Sequence, residues 1–293
     1  MRRKVSKIGP STLMISLPSK WTKKYNINKG SELHIIEEGK SLRILTENLS
    51  KLNTTLDISN LNKRVIEWYI SALHKSGYDE IKIIYNSAEQ IEIIKSLIKN
   101  LLTGFAIVDQ NEKFLIIKQI SSDQEQEFNS VLRRAFMITL SLGKQTLDYL
   151  KNPKNKQLIL DLEMTNNQLT NFCQRILNKN AYKDITKICF YYVTIWNLEK
   201  IADDYKYIVQ DYDNKPNKEI IELLNRTNKY LESYYKLFYQ FDINELNNLN
   251  LESENLKRDL KSVKTDSLIL HHLHNLITKI SDFSSSMIIL NHN

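Results

Sequence analysis

Alternating and helical patterns of apolar residues divide the chain into three parts with different secondary structure. In the first part, short apolar runs predict strands at Arg3–Ile8 and Leu13–Leu17. A helix is predicted to start at Pro18, because proline is tolerated in a first helical turn. Two further strands, at 31–39 and 40–45, read as a hairpin. The predicted order is therefore β-β-α-β-β in fewer than 50 residues.

The middle part, residues 49–121, has the pattern of a small α/β domain. Its predicted order is β-α-β-α-β-β, with strands at 54–59, 79–86, 105–110 and 113–120 and helices at 60–77 and 87–104. Ser87 is a predicted N-cap, and His74 is expected at the surface or at its boundary. The segment has no phosphate-binding glycine loop, no His/Cys cluster and no nucleophile elbow. We therefore interpret it as a spacer or oligomerisation domain.

The last part, residues 122–293, reads as a bundle of long helices. Few helix breakers follow residue 105, and six helices are predicted at 124–150, 155–179, 182–212, 217–240, 243–262 and 266–290. The segment NLEKIAD at 197–203 recurs as LITKISD at 276–282, in the third helix of each set of three. This echo predicts two tandem three-helix repeats.

The fold class expected from these patterns is a multidomain chain. It has a small β-rich domain at 1–48, a small α/β domain at 49–121 and an all-α bundle at 122–293.

The positive charge of the chain is concentrated at its beginning. The protein has 41 Lys and Arg against 34 Asp and Glu, a net charge of +7, yet residues 1–30 hold eight basic residues and no acid. A basic patch on a small module is typical of binding to phosphate backbones, although a solvated basic surface is the alternative. So short a segment offers little apolar surface to bury, so we expect it to fold as an intertwined dimer.

The sequence MRRKVSKIGPSTLMISLPSKWTKKYNINKGSELHII resembles the AbrB/SpoVT swapped-hairpin DNA-binding domain. The likeness rests on Gly9, on the Ser-Leu-Pro-x-x-Trp helix start and on the Lys-Gly-x-x-Leu that opens a hairpin. It implies a homodimer that binds DNA through basic side chains, here Arg2, Arg3, Lys4, Lys7, Lys20 and Lys23. The alternative is a domain that serves only to dimerise the chain.

The two echoed segments carry polar residues beside their apolar stripes. Leu198, Ile201, Tyr205 and Ile208 form the first stripe, with Glu199 and Asp203 to one side. The later stripe is Leu270, Leu273, Ile277 and Ile280, with His271, His274, Thr278 and Asp282 beside it. Carboxylates and imidazoles on facing helices suit a divalent metal ion. The alternative is a solvated polar face on which Lys200 and Lys206 supply the compensating cations.

The segment NLEKIADDYKYI is similar to the signature of PhoU domains, and LEMTNNQLTNFCQRIL and VLRRAF resemble their earlier helices. The resemblance implies two three-helix repeats that regulate phosphate uptake and hold a divalent or iron-type metal through E-x-x-x-D motifs. Glu199 and Asp203 match the first motif, and Asp282 matches the end of the second. Thr278 and Tyr207 depart from the pattern, because Glu and Asn are usual there.

Other features narrow the class of protein. The longest apolar run, Ile188–Trp196, has nine residues, whereas a membrane helix needs about 20, so we expect no membrane insertion. The basic N-terminus lacks the continuous apolar core and the cleavage site of a signal peptide. Cys173 and Cys189 fit neither a disulfide framework nor a zinc site, and we expect a cytoplasmic protein.

The order of modules resembles archaeal PhoU-type phosphate uptake regulators. The leading hypothesis is a non-enzymatic, dimeric transcriptional regulator whose bundle senses phosphate through a metal ion or a partner. A second hypothesis is an adaptor that does not bind DNA and docks on a phosphate transporter ATPase or a signalling kinase. A third is a metal-dependent hydrolase that uses Glu199, Asp203 and His271, although no nucleophile or oxyanion hole is evident.

Overall fold

The computed structural model describes residues 2–38, 41–46, 52–121, 127–179, 185–213, 217–264 and 268–292. The chain forms two compact units, Met1–Lys51 and Leu52–Asn293. The division between them lies close to the first predicted domain boundary, after residue 48. The second predicted boundary, after residue 121, lies inside the second unit. A β-containing N-terminal region is followed by a mainly helical region, which confirms the predicted order of fold classes at this level.

The first unit consists of two separate hairpins and one short helix. Strands β1 (Ser6–Ile8) and β2 (Thr12–Met14) pair antiparallel, and helix α1 (Ser19–Lys24) follows them. Strands β3 (Leu33–Glu38) and β4 (Ser41–Thr46) form the second hairpin. The predicted order of elements is confirmed, while the turn between β3 and β4 lies outside the described residues.

The second unit begins with a four-stranded mixed sheet. Its strands are β5 (Asn53–Asp57), β6 (Glu80–Ile84), β7 (Phe105–Gln110) and β8 (Phe114–Gln119), in the order β5-β6-β8-β7. Strands β5 and β6 are parallel, which a helical crossover permits, and the other neighbours are antiparallel.

Two helices of this α/β part supply its apolar core together with the sheet. They are α2 (Lys63–Lys75) and α3 (Ala88–Asn100). Asn62 caps α2 and Ser87 caps α3, because each side-chain oxygen accepts the backbone N–H three residues later. The cap at Ser87 is the one that the sequence predicts.

His74 is buried, so the expectation of a surface or boundary position is wrong. The side chain is fully enclosed, its Nε2 lies 3.4 Å from the carbonyl oxygen of Thr103, and its ring meets the ring of Phe105 edge-on. The reason is helical spacing: Ile66, Ile70 and His74 recur every four residues and form the buried face of α2.

The rest of the second unit is helical. Its helices are α4 (Phe128–Lys151), α5 (Lys156–Asn178), α6 (Ile188–Gln210), α7 (Lys218–Tyr239), α8 (Ile243–Ser262), α9 (Leu268–Ser281) and α10 (Phe283–Asn291). A 3-10 turn at Ile185–Lys187 precedes α6. Helices α4, α5 and α6 contact one another, as do α7, α8 and α9, and contacts of α4 with α7 and α6 with α9 join the two sets.

The last predicted helix, 266–290, is wrong in one respect, because it is interrupted at Asp282. Serine hydroxyls on both sides of Asp282 bond to backbone carbonyl oxygens of α9. Ser281 Oγ donates to the carbonyl oxygen of Ile277 over 2.8 Å, and Ser284 Oγ donates to that of Ser281 over 2.7 Å. Such bonds compete with the regular helical ladder and bend helices.

The bundle core confirms the predicted stripe on α6, since Leu198, Ile201, Tyr205 and Ile208 are all fully buried. Of the later stripe, Leu273, Ile277 and Ile280 are fully buried and Leu270 is partly buried.

Arg175 of α5 joins the helical part to the α/β part. Its side chain is fully buried. Nη1 donates to the carbonyl oxygens of His74 over 2.9 Å and Tyr78 over 2.7 Å. Nη2 donates to Asp79 Oδ1 over 3.0 Å and to Gln119 Oε1 over 2.6 Å. One guanidinium therefore satisfies acceptors from α2, from β8 and from the loop that leads into β6.

Neighbouring side chains complete this junction. Lys179 Nζ also contacts Asp79 Oδ1, over 2.5 Å, while Asp79 Oδ2 accepts the backbone N–H of Leu52 over 3.0 Å. The guanidinium of Arg175 lies 5.0 Å from the centre of the Phe105 ring. A buried charge is tolerated only when it is paired and hydrogen-bonded, as it is here. The α/β part and the helices therefore form one unit.

Among the described residues, no helix combines the length and the apolar character needed to cross a bilayer.

Replacing Arg175 with methionine should lower the free energy of unfolding by about 3–5 kcal/mol, because Asp79 would lose its fully buried cationic partner and the carbonyl oxygens of His74 and Tyr78 would each lose a donor. Urea unfolding measures this change. Arg226→Met is the matched control, since Arg226 pairs with Glu252 and Asp259 at a more exposed site and should cost at most about 1 kcal/mol. Equal costs for the two variants would contradict the role given to Arg175.

Candidate functional site

The hairpins of the first unit leave their apolar faces in solvent. Leu13, Ile35 and Leu42 are 69%, 61% and 65% exposed. None of the described side chains of this unit is buried. In the second hairpin Ile35 lies opposite Ile44 on the face that also carries Leu33 and Leu42, with Glu37 opposite Leu42, so one side of the ribbon is mainly apolar. An isolated two-stranded hairpin is at best marginally stable in water, so these faces require a further partner surface.

Helix α1 has few stabilising interactions of its own. It begins after Pro18, its six residues include no buried side chain, and no side chain caps its first turn. The rings of Trp21 and Tyr25 lie 5.8 Å apart, and the ammonium of Lys24 lies 5.1 Å from the Tyr25 ring. Since isolated helices of this length are unstable, α1 depends on tertiary contacts too.

The six basic residues assigned to DNA binding are all exposed. Arg2, Arg3 and Lys4 lie in the segment without regular secondary structure before β1, and Lys7 lies in β1 opposite Leu13. Lys20 and Lys23 lie one turn apart on α1, which places them on the same helix face. The first unit thus presents cationic side chains together with unpaired apolar strand faces.

The carboxylates predicted as metal ligands on α6 are paired with lysines. Lys200 Nζ contacts Glu199 Oε1 over 3.2 Å and Asp203 Oδ2 over 3.0 Å. Lys206 Nζ contacts Asp203 Oδ1 over 2.8 Å and Glu163 Oε1 of α5 over 2.5 Å. The five side chains form a continuous chain of ion pairs, which we call the α6 ion cluster.

Partial burial makes these pairs stronger than surface pairs. Burial alone lowers the pKa of Lys200 and Lys206, but the neighbouring carboxylates outweigh it and raise both pKa values above the ordinary value. Burial alone raises the pKa of Asp203, but hydrogen bonds and charges from Lys206 and Lys200 lower it below the ordinary value. All three groups are therefore charged at neutral pH.

The α6 ion cluster, as arranged, does not fit a divalent metal ion. Asp203 uses both carboxylate oxygens on ammonium groups, and Glu199 uses one; Glu199 Oε2 is buried without a hydrogen-bond partner among the described residues. In the described ranges no group of three or more His, Cys, Asp and Glu side chains is placed to hold a metal. Asp282 is exposed between α9 and α10. The metal ion stays a prediction of the sequence.

The other polar residues predicted on α9 point to solvent or bond locally. His271 and His274 are exposed, and Asn275 Nδ2 lies 3.3 Å from His271 Nε2. Thr278 Oγ1 donates to the carbonyl oxygen of His274 over 2.9 Å, the preceding turn of the same helix. His271, which the hydrolase hypothesis uses, is thus on the surface of α9.

A second ion cluster, which is not among the sites expected in the sequence analysis, joins α6 to α9. Asp204 has a buried side chain that contacts Lys279 Nζ over 2.5 Å. The Nδ1 of His272 lies 3.6 Å from Asp204 Oδ1, and its Nε2 lies 2.9 Å from Asp211 Oδ2. Lys279 also donates to the carbonyl oxygen of Lys200, its counterpart in the sequence echo. This second cluster therefore connects the two echoed segments directly.

The sequence does contain a signal for this second cluster. Asp204 follows Ile201 by three residues and precedes Ile208 by four, so it lies on the apolar stripe of α6. A charged residue on a buried face needs a partner of opposite charge. The spacing does not identify that partner, because Lys279 is 75 residues away.

No family model, no curated protein and no solved structure matches the chain.

A double-mutant cycle with Asp204→Asn and Lys279→Met should reveal a coupling of about 1–3 kcal/mol in the free energy of unfolding, because the pair is in contact and partly buried. Chemical unfolding of the two single variants and the double variant measures it. A cycle with Asp282→Asn in place of Asp204→Asn serves as the control, since Asp282 is exposed. Additive effects at Asp204 and Lys279 would show that the second cluster does not stabilise the bundle.

Proposed function

We propose that this protein is a dimeric DNA-binding regulator whose first unit contacts DNA and whose second unit carries the regulatory input. The observation that supports it most is the first unit's surface, on which apolar strand faces lie exposed beside cationic side chains. Apolar faces of this kind are stabilised by association with a second copy. The pair would then present twice the positive charge of one unit.

The charge of the first unit supports nucleic acid as the ligand. Eight Lys and Arg and no acid occur in residues 1–30, and the remainder of the chain carries one more acid than base. Lysines and arginines that neutralise phosphates release counterions, which supplies most of the affinity of sequence-independent binding. Dimerisation alone does not require this excess of positive charge in residues 1–30.

Phosphate uptake is the process that we propose for this regulator, and the support is the likeness of the α6 segment to PhoU signatures. The second unit offers helices without an evident nucleophile, so a role in sensing or docking suits it better than catalysis. The proposed partners are DNA and a phosphate transporter ATPase or a signalling protein.

The adaptor alternative has one observation in its favour. On α2, Trp68 is 60% exposed with the guanidinium of Arg64 lying 5.3 Å from its ring centre, and Tyr69 is exposed beside it. Trp, Tyr and Arg dominate binding energies at protein interfaces. This patch suits a protein partner, which a regulator and an adaptor would both have. DNA binding therefore distinguishes the two proposals.

Replacing Lys7, Lys20 and Lys23 together with alanine should weaken binding to unrelated DNA duplexes to a similar degree. The slope of log affinity against log salt should fall by about 0.9 for each phosphate that the variant no longer neutralises. Fluorescence anisotropy over a salt series measures both quantities. The control removes the exposed lysines Lys95, Lys144 and Lys236 of the second unit and should leave affinity and slope unchanged.

Two results would contradict DNA binding. One is an unmodified protein that retains no DNA at low salt while remaining a dimer, which favours the adaptor. The other is an equal reduction of affinity in the variant and in its control, which would show that the whole surface attracts DNA without a defined site.

Replacing Leu42 with aspartate should convert the dimer to a monomer of half its mass, because a charge is placed in the apolar face that the second copy covers. Light scattering coupled to size-exclusion chromatography measures the mass. Leu251→Asp is the matched control, since Leu251 on α8 is 52% exposed and should tolerate the charge. A monomeric unmodified protein, or an unchanged mass for Leu42→Asp, would refute dimerisation through this hairpin.

A further inference from the structure

We infer that Lys200 and Lys206 act as built-in counterions of the carboxylates on α6 and take the position that a divalent cation would need. Each ammonium contacts two carboxylates at 3.2 Å or less, and Asp203 lies between the two lysines. The chain itself therefore supplies two positive charges to these acids. On this inference the second unit is stable without a divalent metal ion.

Aromatic rings hold the two ammonium groups over the carboxylates. Lys200 Nζ lies 5.0 Å from the centre of the Trp196 ring, and Lys206 Nζ lies 5.0 Å from that of Tyr207. A cation within about 6 Å of an aromatic face is attracted to the ring. The lysine heads thus have favourable contacts on more than one side.

The α6 ion cluster has more negative than positive charge, so the loss of either lysine would increase the excess of negative charge. Glu163, Glu199 and Asp203 carry three negative charges, and the two lysines carry two positive ones. Lys206 is the contact shared by Glu163 of α5 and Asp203 of α6. Without its ammonium, these two carboxylates remain near each other on neighbouring helices. Oxygen ligands with excess negative charge are what hard divalent cations prefer.

Lys206→Met is the variant that tests this inference, because methionine keeps an unbranched chain and removes the charge. Thermal unfolding of the full-length protein is followed in EDTA, in Mg²⁺ and in Mn²⁺. The unmodified protein should unfold at the same temperature in all three. The variant should unfold several degrees lower in EDTA and should regain part of that difference in Mn²⁺ or Mg²⁺.

Two further variants separate the charge effect from a general reduction of stability. Lys236→Met removes an exposed lysine that pairs with Glu232 on α7, so it should change neither the midpoint nor its response to metal. Lys206→Arg keeps the positive charge and should show no metal response. If Lys206→Met does not fold, Lys200→Met is measured in its place, since it leaves the contacts of Lys206 intact.

Three outcomes would overturn the inference. The first is an unmodified protein whose unfolding temperature falls in EDTA and rises with Mn²⁺, which would show that a metal already neutralises the acids. The second is a lysine-to-methionine variant that is neither destabilised nor responsive to metal. The third is stoichiometric metal in unmodified protein purified without chelator, detected by elemental analysis. None of these readouts depends on DNA binding, so the proposed function is tested separately.

Discussion

The described residues of the first unit include no buried side chain, and the rest of the account depends on that constraint. Its two hairpins are separate two-stranded ribbons, its helix has six residues, and none of its described side chains is buried. Folding such a segment costs conformational entropy that only apolar burial can offset. We propose that a second copy of the chain supplies this burial. In the proposed dimer, pairing would also bring two cationic segments together on one surface.

The second unit contains a sheet and a set of long helices, and specific contacts must hold these elements in one arrangement. Its sheet and its helices meet around the guanidinium of Arg175, which replaces water as a hydrogen-bond donor to four acceptors of the α/β part. The contact of Asp204 with Lys279 does the same between the two sets of three helices. Polar contacts of this kind specify one arrangement of helices, whereas apolar packing alone tolerates several. The result is a single unit with charged residues on the surface of α6.

The secondary structure is predictable from the sequence because it depends on local spacing. Period-two and period-3.6 patterns, the cap at Ser87 and the breaks at glycine and proline place most elements within a few residues. The single helix predicted over 266–290 is wrong because hydroxyl bonds from Ser281 and Ser284 to the backbone are not visible in apolar periodicity. The expected position of His74 is wrong too, because its spacing from Ile66 and Ile70 puts it on the buried face of α2, whereas a histidine is not counted among the apolar residues of a pattern.

The candidate sites are less predictable, because they depend on which side chains of opposite charge meet. Spacing puts Glu199, Asp203 and two lysines on one surface of α6, but it does not decide between a metal ion and lysine as the counterion. Nothing in the local sequence around Arg175 indicates that its side chain contacts residues near 75 and 119. Such contacts join residues that are far apart in the sequence. The spacing of residues in one sequence does not show which of these distant residues meet.

Isotope-filtered NMR on a mixed sample tests the central claim most directly. Protein with labelled methyl groups is combined with unlabelled protein after unfolding and refolding, and only contacts between different chains are recorded. The account predicts contacts between chains from the methyl groups of Leu13, Ile35 and Leu42. Contacts from these residues found only within one chain would show that the first unit folds alone, and would remove the basis for a DNA-binding pair.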